Sequence, residues 1–289
     1  PAWSCFLSCI ITRTKFVTTF HGVYNFSNKL KKIYNSVMVR SNLIIAGSNF
    51  VFNHIHKNYG ELITSKKRLL VIFRGINTEY FDNSKITSEK VKSFKSLVNF
   101  DPEKFKILLP GRLTRWKGHE MFIESLFILK TKYGKENFQA VILGSDQGRK
   151  VYFKKLISMI DKYSLKSNVF FLQHAKEMPV AYYISDVVVS SSIEPEAFGR
   201  VSVEAQAMRR PILASDHGGS KETIINGKSG FLFENNKPDV LAENLNKLME
   251  MDKDKLQLIG NEGRKNILKK FDVEQMCNST FIEYKKLIK

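Results

Sequence analysis

Two carboxylates stand close together in the stretch SSSIEPEAFGRVSVEAQAMRRPILASDHGG, residues 190–219. Glu196 lies in the loop that follows an apolar run, and Glu204 lies one turn inside a predicted helix over residues 200–208. The apolar side chains that share the helix face of Glu204, by their i, i+3, i+4 and i+7 spacing, are Val201, Ala205 and Met208. The pattern therefore places one acid in a cleft and the other on a buried stripe.

A buried acid is costly unless it accepts good hydrogen bonds. An ionised carboxylate only accepts, so the two oxygens of Glu204 suit a diol whose two hydroxyls donate to them, as in a ribose. The alternative is that neighbouring backbone amides satisfy this acid. Glu196 could accept hydrogen bonds from sugar hydroxyls in the cleft, or it could be an ordinary surface residue.

A second group of residues, in LLPGRLTRWKGHEMF, combines glycine with positive charge. Arg112 follows Gly111 directly after a predicted strand, and Lys117 directly precedes Gly118 and a predicted helix. A lysine at a helix N-terminus opposes the helix dipole, where acids are favoured by about 0.3–1 kcal/mol. Arg200 repeats this arrangement at the start of the other helix. A bound diphosphate would satisfy these charges, and the alternative is that each is a solvated surface charge.

A third motif, DHGGSKE, follows the apolar run RPILAS. Gly218 and Gly219 open another helix there and would let backbone amides approach a bound group closely. A plain loop is the alternative.

Short apolar runs alternate with amphipathic stretches along the chain and must position these motifs. The runs are FVTTF, NLIIAGS, LLVIF, FKILLPG, FQAVILG, NVFFL, DVVVSSS, RPILAS and GFLFE. Continuous apolar strands separated by helices are typical of parallel sheets covered on both faces. In such sheets, ligands bind beyond the carboxyl ends of the strands, which is where the three motifs lie. The fold class predicted is α/β.

A polar stretch over residues 82–104 interrupts the alternation and predicts a domain boundary. The second domain then has about six strands and the first only three, against about 5–6 in a typical sheet. The first domain is therefore predicted to be incomplete.

The composition restricts the classes of partner. The 289 residues carry a net charge of +18, and residues 1–100 hold fifteen Lys and Arg against four Asp and Glu. An anionic partner is expected, such as phosphate esters or an acidic membrane surface. Nucleic acid is not expected, because the basic residues are not interleaved with aromatic ones. A dinucleotide oxidoreductase is not expected either, since no strand is followed by Gly-x-Gly-x-x-Gly.

The segment SNKLKKIYNSVMVR places Lys29, Lys32 and Arg40 among apolar residues. This is expected of an element that lies against an anionic membrane, and a solvated basic helix face is the alternative. The three cysteines, Cys5, Cys9 and Cys277, fit neither a disulfide framework nor a metal site. They predict reduced, buried thiols in a cytoplasmic protein.

Taken together, Glu196-x7-Glu204 with Phe198-Gly199 inside it, GRLTRWKG, and HGG followed by Glu222 resemble family-4 retaining glycosyltransferases of the GT-B fold. TTFHGVYN, NLIIAGSNFV and IFRGINTEYF resemble the second half of that family's N-terminal domain. The resemblance thus covers essentially the whole chain and implies two Rossmann-like domains, the N-terminal one lacking its opening. The domains that it implies are a partial acceptor-side domain with linker over 1–101, a nucleotide-sugar-binding domain over 102–270, and a helix over 271–289 that packs back on the first domain.

The resemblance implies transfer of a sugar from a nucleotide-diphosphate donor to a hydroxyl group, with retained configuration and without a metal or other cofactor. The acceptor would be a glycan or glycolipid, in the synthesis of lipopolysaccharide or another cell-surface glycan. Such enzymes often work at the cytoplasmic face of the membrane, so peripheral membrane association is expected.

The roles that the resemblance implies fall into two sets. Residues expected to act in catalysis are Arg112 and Lys117, which would stabilise the leaving diphosphate, and Glu196 and His21, which would contact the donor sugar. Residues expected to bind the donor are Glu204 at the ribose, the amides around Phe198, Gly199 and Arg200, and the glycines Gly111, Gly218 and Gly219.

The chain departs from the family pattern at particular positions. Arg209 stands where the family usually has glycine, and Asn77 stands where the family tends to have aspartate. A left-handed helix end without glycine costs roughly 1 kcal/mol or more. The alternative function is a non-catalytic remnant that binds nucleotide sugar but lacks a complete acceptor domain.

Overall fold

The structure is a computed structural model and describes residues 2–24, 28–64, 67–98, 100–175 and 177–288. The chain divides into two compact units. Unit 1 consists of Pro1–Gly75, Glu196–Phe198 and Lys270–Lys289, and unit 2 consists of Ile76–Pro195 and Gly199–Lys269.

The described residues form parallel strands connected by helices. The strands are β1 (Val17–Phe20), β2 (Leu43–Ala46), β3 (Arg68–Val71), β4 (Phe105–Pro110), β5 (Phe138–Leu143), β6 (Val169–Leu172), β7 (Val187–Ser190), β8 (Ile212–Ser215) and β9 (Phe231–Phe233). The α-helices are α1 (Ala2–Ile11), α2 (Lys29–Asn35), α3 (Asn49–Tyr59), α4 (Ser88–Val98), α5 (His119–Tyr133), α6 (Lys150–Lys162), α7 (Met178–Tyr183), α8 (Arg200–Ala207), α9 (Ser220–Thr223), α10 (Pro238–Glu250), α11 (Lys253–Lys270) and α12 (Val273–Ile288). Short 3-10 helices span Ser36–Val39, Gly60–Leu62, Asn83–Lys85 and Arg115–Lys117.

Unit 2 is built on a parallel sheet with the strand order β6-β5-β4-β7-β8-β9. Every residue of β5, β7 and β8 is buried, which explains why these strands are continuous apolar runs in the sequence. Val188 of β7 pairs with Leu108 of β4 on one side and with Ile212 of β8 on the other. The three motif-bearing strands therefore lie side by side, and the α/β prediction is confirmed.

One face of this sheet is covered by α5 and α10. The fully buried side chains of α5 include Phe122, Leu126 and Leu129, and those of α10 include Leu241 and Leu245. Because the α5 residues recur at i, i+4 and i+7, they form one apolar stripe that faces the sheet and α10. This packing fixes how the start of α5, with Lys117 just before it, meets the edge of the sheet.

Unit 1 has a parallel sheet of order β1-β2-β3, with Thr19 paired to Ile45 and Ile45 paired to Leu70. Ser48 caps α3, since its Oγ accepts a hydrogen bond from the Val51 N–H at 3.1 Å. Only Gly47 and Ser48 connect the carboxyl end of β2 to α3.

Helix α12 belongs to unit 1. Met276 and Leu287 of this helix pack against a cluster formed by Leu43, Ile45 and Ile72. A Cβ atom on Gly75 would lie 2.5 Å from the Cα of Val273, so only glycine allows the backbone after β3 to approach the start of α12 this closely.

The division of the structure differs from the predicted boundary near residue 101, because residues 76–101 belong to unit 2. The buried guanidinium of Arg264 in α11 donates to the carbonyl oxygens of Phe81 at 2.6 Å and Thr78 at 3.0 Å, and to Asp82 at 3.1 Å. These bonds tie the polar segment to α11, which its composition does not reveal.

Among the described helices, none combines the length and the apolar character that crossing a membrane requires. Cys5 and Cys277 are exposed and Cys9 is partly exposed. The expectation that the cysteines are buried is therefore wrong. Cys5 and Cys9 lie on α1, none of whose residues is buried.

Candidate functional site

The loops after β4 and β7 are joined by hydrogen bonds. The Ser191 hydroxyl donates to the carbonyl oxygens of Lys117 at 3.0 Å and Gly118 at 3.3 Å. The Ile193 N–H donates to the Trp116 carbonyl at 2.8 Å. Since β4 and β7 are neighbours, the GRLTRWKG motif and the first half of the acidic motif form one surface at the carboxyl edge of the unit 2 sheet.

Gly118 is required by this junction for two reasons. Its φ of 71° lies in the left-handed region, and a Cβ atom there would be 1.9 Å from the carbonyl oxygen of Ser191. Any side chain would therefore push the two loops apart.

Lys117 and Arg112 place positive charge at this edge. The stem of the Lys117 side chain lies over Gly111, where a Cβ atom would contact the Lys117 Cδ at 3.5 Å. The Lys117 Nζ lies 4.4 Å from the centroid of the Trp116 ring, a cation–π contact. Arg112 is exposed and directly follows Gly111. Both predicted cations thus stand beyond the end of β4.

Glu204 is buried on α8, with 6% of its surface exposed. The Tyr182 hydroxyl donates to its Oε2 at 2.8 Å, and the Arg200 Nε donates to its Oε1 at 2.5 Å. Two side chains therefore donate to the carboxylate oxygens. The sequence analysis had considered a bound diol or backbone amides as the donors. Tyr182 is the contact that sequence reasoning missed, because no spacing links it to Glu204.

The electrostatics of this group follow from its burial. Burial and the charge of Glu204 raise the pKa of Tyr182 well above its ordinary value, so the phenol stays neutral and donates. The hydrogen bond to Glu204 raises the pKa of Arg200. The Arg200 side chain is 73% exposed and that of Glu204 only 8%, so the guanidinium covers the carboxylate on the solvent side.

The loop after β8 joins the same surface. The His217 Nε2 lies 2.7 Å from the Ser192 carbonyl oxygen. Gly199, at the N-cap of α8 with a φ of 84°, packs so closely on α9 that a Cβ atom would lie 3.4 Å from the Ser220 nitrogen. Gly218 has a φ of 58°, and Gly219 is the N-cap of α9. The three motifs therefore meet at one edge of the unit 2 sheet, apart from residues 196–198 of the acidic motif, which belong to unit 1.

His21 follows β1 at the carboxyl edge of the unit 1 sheet and is exposed over part of its surface. Partial burial and, second, the positive charge of Arg74 lower the pKa of His21 and favour the neutral imidazole. Arg74 follows β3 and lies against Gly47, where a Cβ atom would be 3.1 Å from the Arg74 Cγ. Sequence reasoning missed Arg74, although its place after a strand is the same signal that identified Arg112.

Residues 196–198 belong to unit 1. The Ala197 carbonyl oxygen accepts a hydrogen bond from the Ser48 hydroxyl at 2.5 Å. The Phe198 ring is buried edge-on against Phe271, with centroids 5.8 Å apart. The Phe198 side chain is thus part of the core, and only its backbone remains for a ligand. Glu196 is half-buried.

A cavity of 560 Å³ opens between the start of α5 and the start of α10. Its charged lining residues are Arg115, Glu120, Glu124 and Lys155. Gly118 and Ile193, at the junction of the loops after β4 and β7, also line it, so the cavity adjoins the surface that the motifs form, although none of the predicted site residues lines it.

Comparison with protein families identifies the chain. Residues 91–266 match the model of the glycosyl transferases group 1, and residues 1–80 match that of glycosyltransferase family 4. The chain belongs to the group 1 glycosyltransferases. The predicted family is confirmed.

Solved structures share the fold. The crystal structure of a glycosyltransferase from Rickettsia africae ESF-5 is 34% identical with a TM-score of 0.91, over 100% of this chain and 75% of that one. Anabaena Alr3699/HepE, crystallised with UDP and glucose, is 23% identical with a TM-score of 0.84, over 99% and 75% of the two chains. The fold that the chain shares with these structures is GT-B, which confirms the predicted fold class.

A curated relative is the capsular polysaccharide biosynthesis glycosyltransferase CapM of Staphylococcus aureus. It is 27% identical over 239 residues, which are 79% of this chain and 60% of the relative. The chain thus spans about 60% of the length of the first curated relatives that it matches.

Proposed function

We propose that this group 1 glycosyltransferase transfers a sugar from a nucleotide-diphosphate donor to a hydroxyl acceptor with retained configuration. The observation that carries the proposal is the hydrogen-bonded junction of the loops after β4, β7 and β8. It gathers two cations, a carboxylate and glycine-rich helix starts at one sheet edge, where doubly wound sheets bind ligands. In support, the structurally similar Anabaena protein is crystallised with UDP and glucose.

Arg112 and Lys117 bind the diphosphate of the donor and stabilise its charge as the sugar leaves. Removing one such preorganised donor typically costs about 10²–10³ in rate. Lys117 is the better positioned of the two, because its stem is fixed over Gly111 and its ammonium lies over the Trp116 ring. Arg112 is exposed and reaches the phosphate from the other side of the turn.

Glu204 accepts hydrogen bonds from the ribose hydroxyls. Tyr182 holds the Oε2 of Glu204, so the carboxylate keeps its orientation when a ribose hydroxyl replaces Arg200 as the donor to Oε1. The released guanidinium, together with the amides at Gly199 and the loop around Gly218 and Gly219, contacts sugar or phosphate.

Glu196 and His21 contact the donor sugar. A carboxylate accepts from two sugar hydroxyls, and a neutral imidazole can donate through one nitrogen and accept through the other. The lowered pKa of His21 favours that neutral form at physiological pH. Phe198 contributes its backbone, since its ring is buried.

The reaction is proposed to proceed without a divalent metal, because two cationic side chains supply the charge that a metal supplies elsewhere. Within the described residues, no group of three or more His, Cys, Asp or Glu side chains has the arrangement of a metal site. Transfer activity that is unchanged in excess EDTA is the expected result, and activity restored only by Mg²⁺ or Mn²⁺ would contradict the proposal.

The acceptor is proposed to be a glycan or glycolipid of the cell surface, such as a lipopolysaccharide precursor, at the cytoplasmic face of the membrane. The name of the staphylococcal relative, a capsular polysaccharide enzyme, supports a surface glycan. Peripheral membrane association is supported by exposed apolar side chains on α1 and α2, which are Leu7, Ile10, Ile11, Leu30, Ile33 and Tyr34. Exposed lysines flank them on α2, as in elements that dock on anionic lipid.

Vesicle cosedimentation tests the membrane part of the proposal. We expect binding to anionic vesicles at low salt, with loss in a Lys29→Ala, Lys31→Ala, Lys32→Ala variant. The charge-matched control replaces three exposed lysines of α6, Lys150, Lys154 and Lys162, and should bind as wild type does. Equal binding to neutral and anionic vesicles would contradict the proposal.

A thermal-shift screen tests the donor site. UDP-, GDP-, ADP- and dTDP-sugars are added to the wild type, to Arg112→Ala and to the control Arg115→Ala, which removes the same charge three residues away. A donor should raise the Tm of the wild type and the control but not of Arg112→Ala. If no donor raises the Tm, or if the gain survives in Arg112→Ala, the site is misplaced. Donor binding without transfer to any acceptor or hydrolysis would favour the non-catalytic alternative.

A further inference from the structure

A second cavity of unit 2 lies at the amino ends of β7 and β8, opposite the edge that carries the three motifs. Its volume is 150 Å³. Asp186 and Pro211, which line it, directly precede these two strands. Its other lining residues are Arg209, Arg210, Lys253, Leu256 and Gln257. Three of these seven side chains are cationic, and only Asp186 is acidic.

Arg209 is held in a conformation that arginine rarely adopts. Its φ is 52°, in the left-handed region that favours glycine. Helix α11 crosses it so closely that a Cβ atom on Gly260 would lie 2.1 Å from the Arg209 carbonyl oxygen. The strain is therefore locked in by packing, and a backbone outlier of this kind is a reason to look for a function of its side chain. Its Nη1 donates to the Asn261 Oδ1 at 2.9 Å.

Arg210 brings a donor without an acceptor. Its Nε is buried and has no hydrogen-bond partner among the described residues, while its guanidinium lies 5.3 Å from the centroid of the Tyr183 ring. Burial lowers the pKa of Arg210, which the charge of Asp186 partly opposes. A buried charged donor that lacks an acceptor is costly, so Arg210 leaves positive charge only partly compensated beside the cavity.

Two acids interact with the arginines of the lining, Asp186 and Asp82, and each of them also has another partner. The Asp186 Oδ2 accepts the Lys106 N–H at 2.7 Å, so this carboxylate is partly engaged by the backbone. Asp82, which also interacts with Arg209, pairs with Arg264 at 3.1 Å. Lys253 is the first residue of α11, where a positive charge opposes the helix dipole. The lining thus has three positive charges against one negative charge, a balance that a dianion would complete.

We propose that this cavity binds a phosphate dianion, either inorganic phosphate or the phosphate group of a monoester. Planar guanidinium groups such as those of Arg209 and Arg210 bind phosphate oxygens through paired N–H donors, and Lys253 adds a point charge. The volume of 150 Å³ admits a phosphate with a few waters at about 30 Å³ each. It is too small for a nucleotide sugar, since sites for ligands of that size are about 300–1,000 Å³.

The test is a calorimetric titration of inorganic phosphate in a phosphate-free buffer at constant ionic strength, with glycerol phosphate as the monoester. Saturable binding to the wild type is expected for at least one of the two. Arg209→Gly removes the cation and takes the left-handed conformation without strain, so a folded variant is expected and its melting curve verifies this. Binding to this variant should be weaker by about tenfold, corresponding to about 1.4 kcal/mol.

Two controls and a second test variant make the result decisive. Ser164→Gly relieves a similar left-handed residue elsewhere in unit 2, with a φ of 52°, and should leave phosphate binding unchanged. Lys253→Ala should weaken binding as Arg209→Gly does. Arg112→Ala removes a cation of the proposed donor site, and the binding that Arg209→Gly weakens should persist in this variant.

Two outcomes would overturn the proposal. One is no saturable binding of either probe, and the other is binding that survives in Arg209→Gly. Binding that is lost only in Arg112→Ala would place the phosphate at the donor edge, which supports the proposed function and refutes this site. The two proposals can therefore fail separately.

Discussion

Replacing Tyr182 by phenylalanine removes a single oxygen from the best-defined polar contact of the site. The hydroxyl donates at 2.8 Å to the Glu204 Oε2, and the tyrosine is fully buried while the glutamate is 6% exposed. A hydrogen bond to a charged group is worth about 1.5–3 kcal/mol. The ring keeps its edge-on contact with Phe81, at 6.1 Å between centroids, so no large cavity forms. We expect Tyr182→Phe to lower the free energy of unfolding by about 1.5–3 kcal/mol.

Urea denaturation measures this loss, with Tyr163→Phe as the matched control. Tyr163 also belongs to an aromatic pair, stacked on Phe127 at 4.5 Å, but it does not bond to an acid in the described structure. Its change should cost less than about 0.5 kcal/mol. In a double-mutant cycle with Glu204→Gln, the two changes should couple by about 1 kcal/mol or more, because one removes the donor of the bond and the other removes the charge of its acceptor.

The same variant tests the donor site. If Tyr182 holds Glu204 in place for a ribose, Tyr182→Phe should also reduce the rise in Tm that a nucleotide sugar produces, whereas Tyr163→Phe should not. Zero coupling in the cycle, or a Tyr182→Phe cost no larger than that of the control, would refute the reasoning about this contact. A normal donor shift in the destabilised variant would refute the ribose role alone.

Further expectations concern stability. Burial lowers the pKa of His119 from 6.5 to about 4, so the unfolded chain takes up a proton at this residue before the folded protein does. The free energy of unfolding should therefore be constant above pH 6.5 and fall by about 3 kcal/mol as the pH falls toward 4. Urea titrations across this range should show the loss, and His119→Leu should make the free energy of unfolding less dependent on pH. Gly118→Ala should cost more than about 2 kcal/mol, because its Cβ would meet the Ser191 carbonyl oxygen at 1.9 Å in a strained backbone; a wild-type urea midpoint would contradict this. Arg209→Gly should change stability by less than about 1 kcal/mol, since relief of backbone strain offsets the greater chain entropy of glycine; a larger loss would show that the arginine is a structural anchor.

The strands and the meeting of the three motifs were predictable because both depend on local patterns. A continuous apolar run such as DVVVSSS is typical of a strand that is buried on both faces of a parallel sheet. Parallel strands place the loops that follow their carboxyl ends at the same edge of the sheet. The helix predicted over 200–208 is observed as Arg200–Ala207, a difference of one residue. Family resemblance then assigned roles to residues that the pattern alone left open.

What the sequence did not predict depends on contacts between distant segments. Tyr182 reaches Glu204 across 22 positions, and Arg264 reaches Asp82 across 182. Tyr182 lies on a different helix from Glu204, Asp82 lies in a loop, and no periodicity relates either residue to its partner. The polar composition of residues 82–104 indicated a linker. A polar segment that is bound by a buried arginine has the same composition as a solvated linker, so composition could not distinguish the two.

The positive charge of Arg200 at the start of α8 was interpreted as evidence for a bound anion, and the structure weakens that interpretation. The Arg200–Glu204 pair is an i, i+4 contact that the spacing alone would have allowed, so the charge at the start of α8 is already matched within the helix. At the other end of the same helix, the strained Arg209 faces a cavity with an excess of cations. A cation at a helix start is therefore weak evidence for a ligand when an acid lies one turn on, whereas a strained cation beside an unpaired buried donor is stronger evidence. For the proposed donor site it follows that ribose must compete with Arg200 for Glu204. Arg200→Ala should then have two opposite effects on donor affinity. It removes the side chain that competes with ribose for Glu204, which raises the affinity, and it removes a contact to the donor, which lowers the affinity. A small net change in donor affinity is therefore expected.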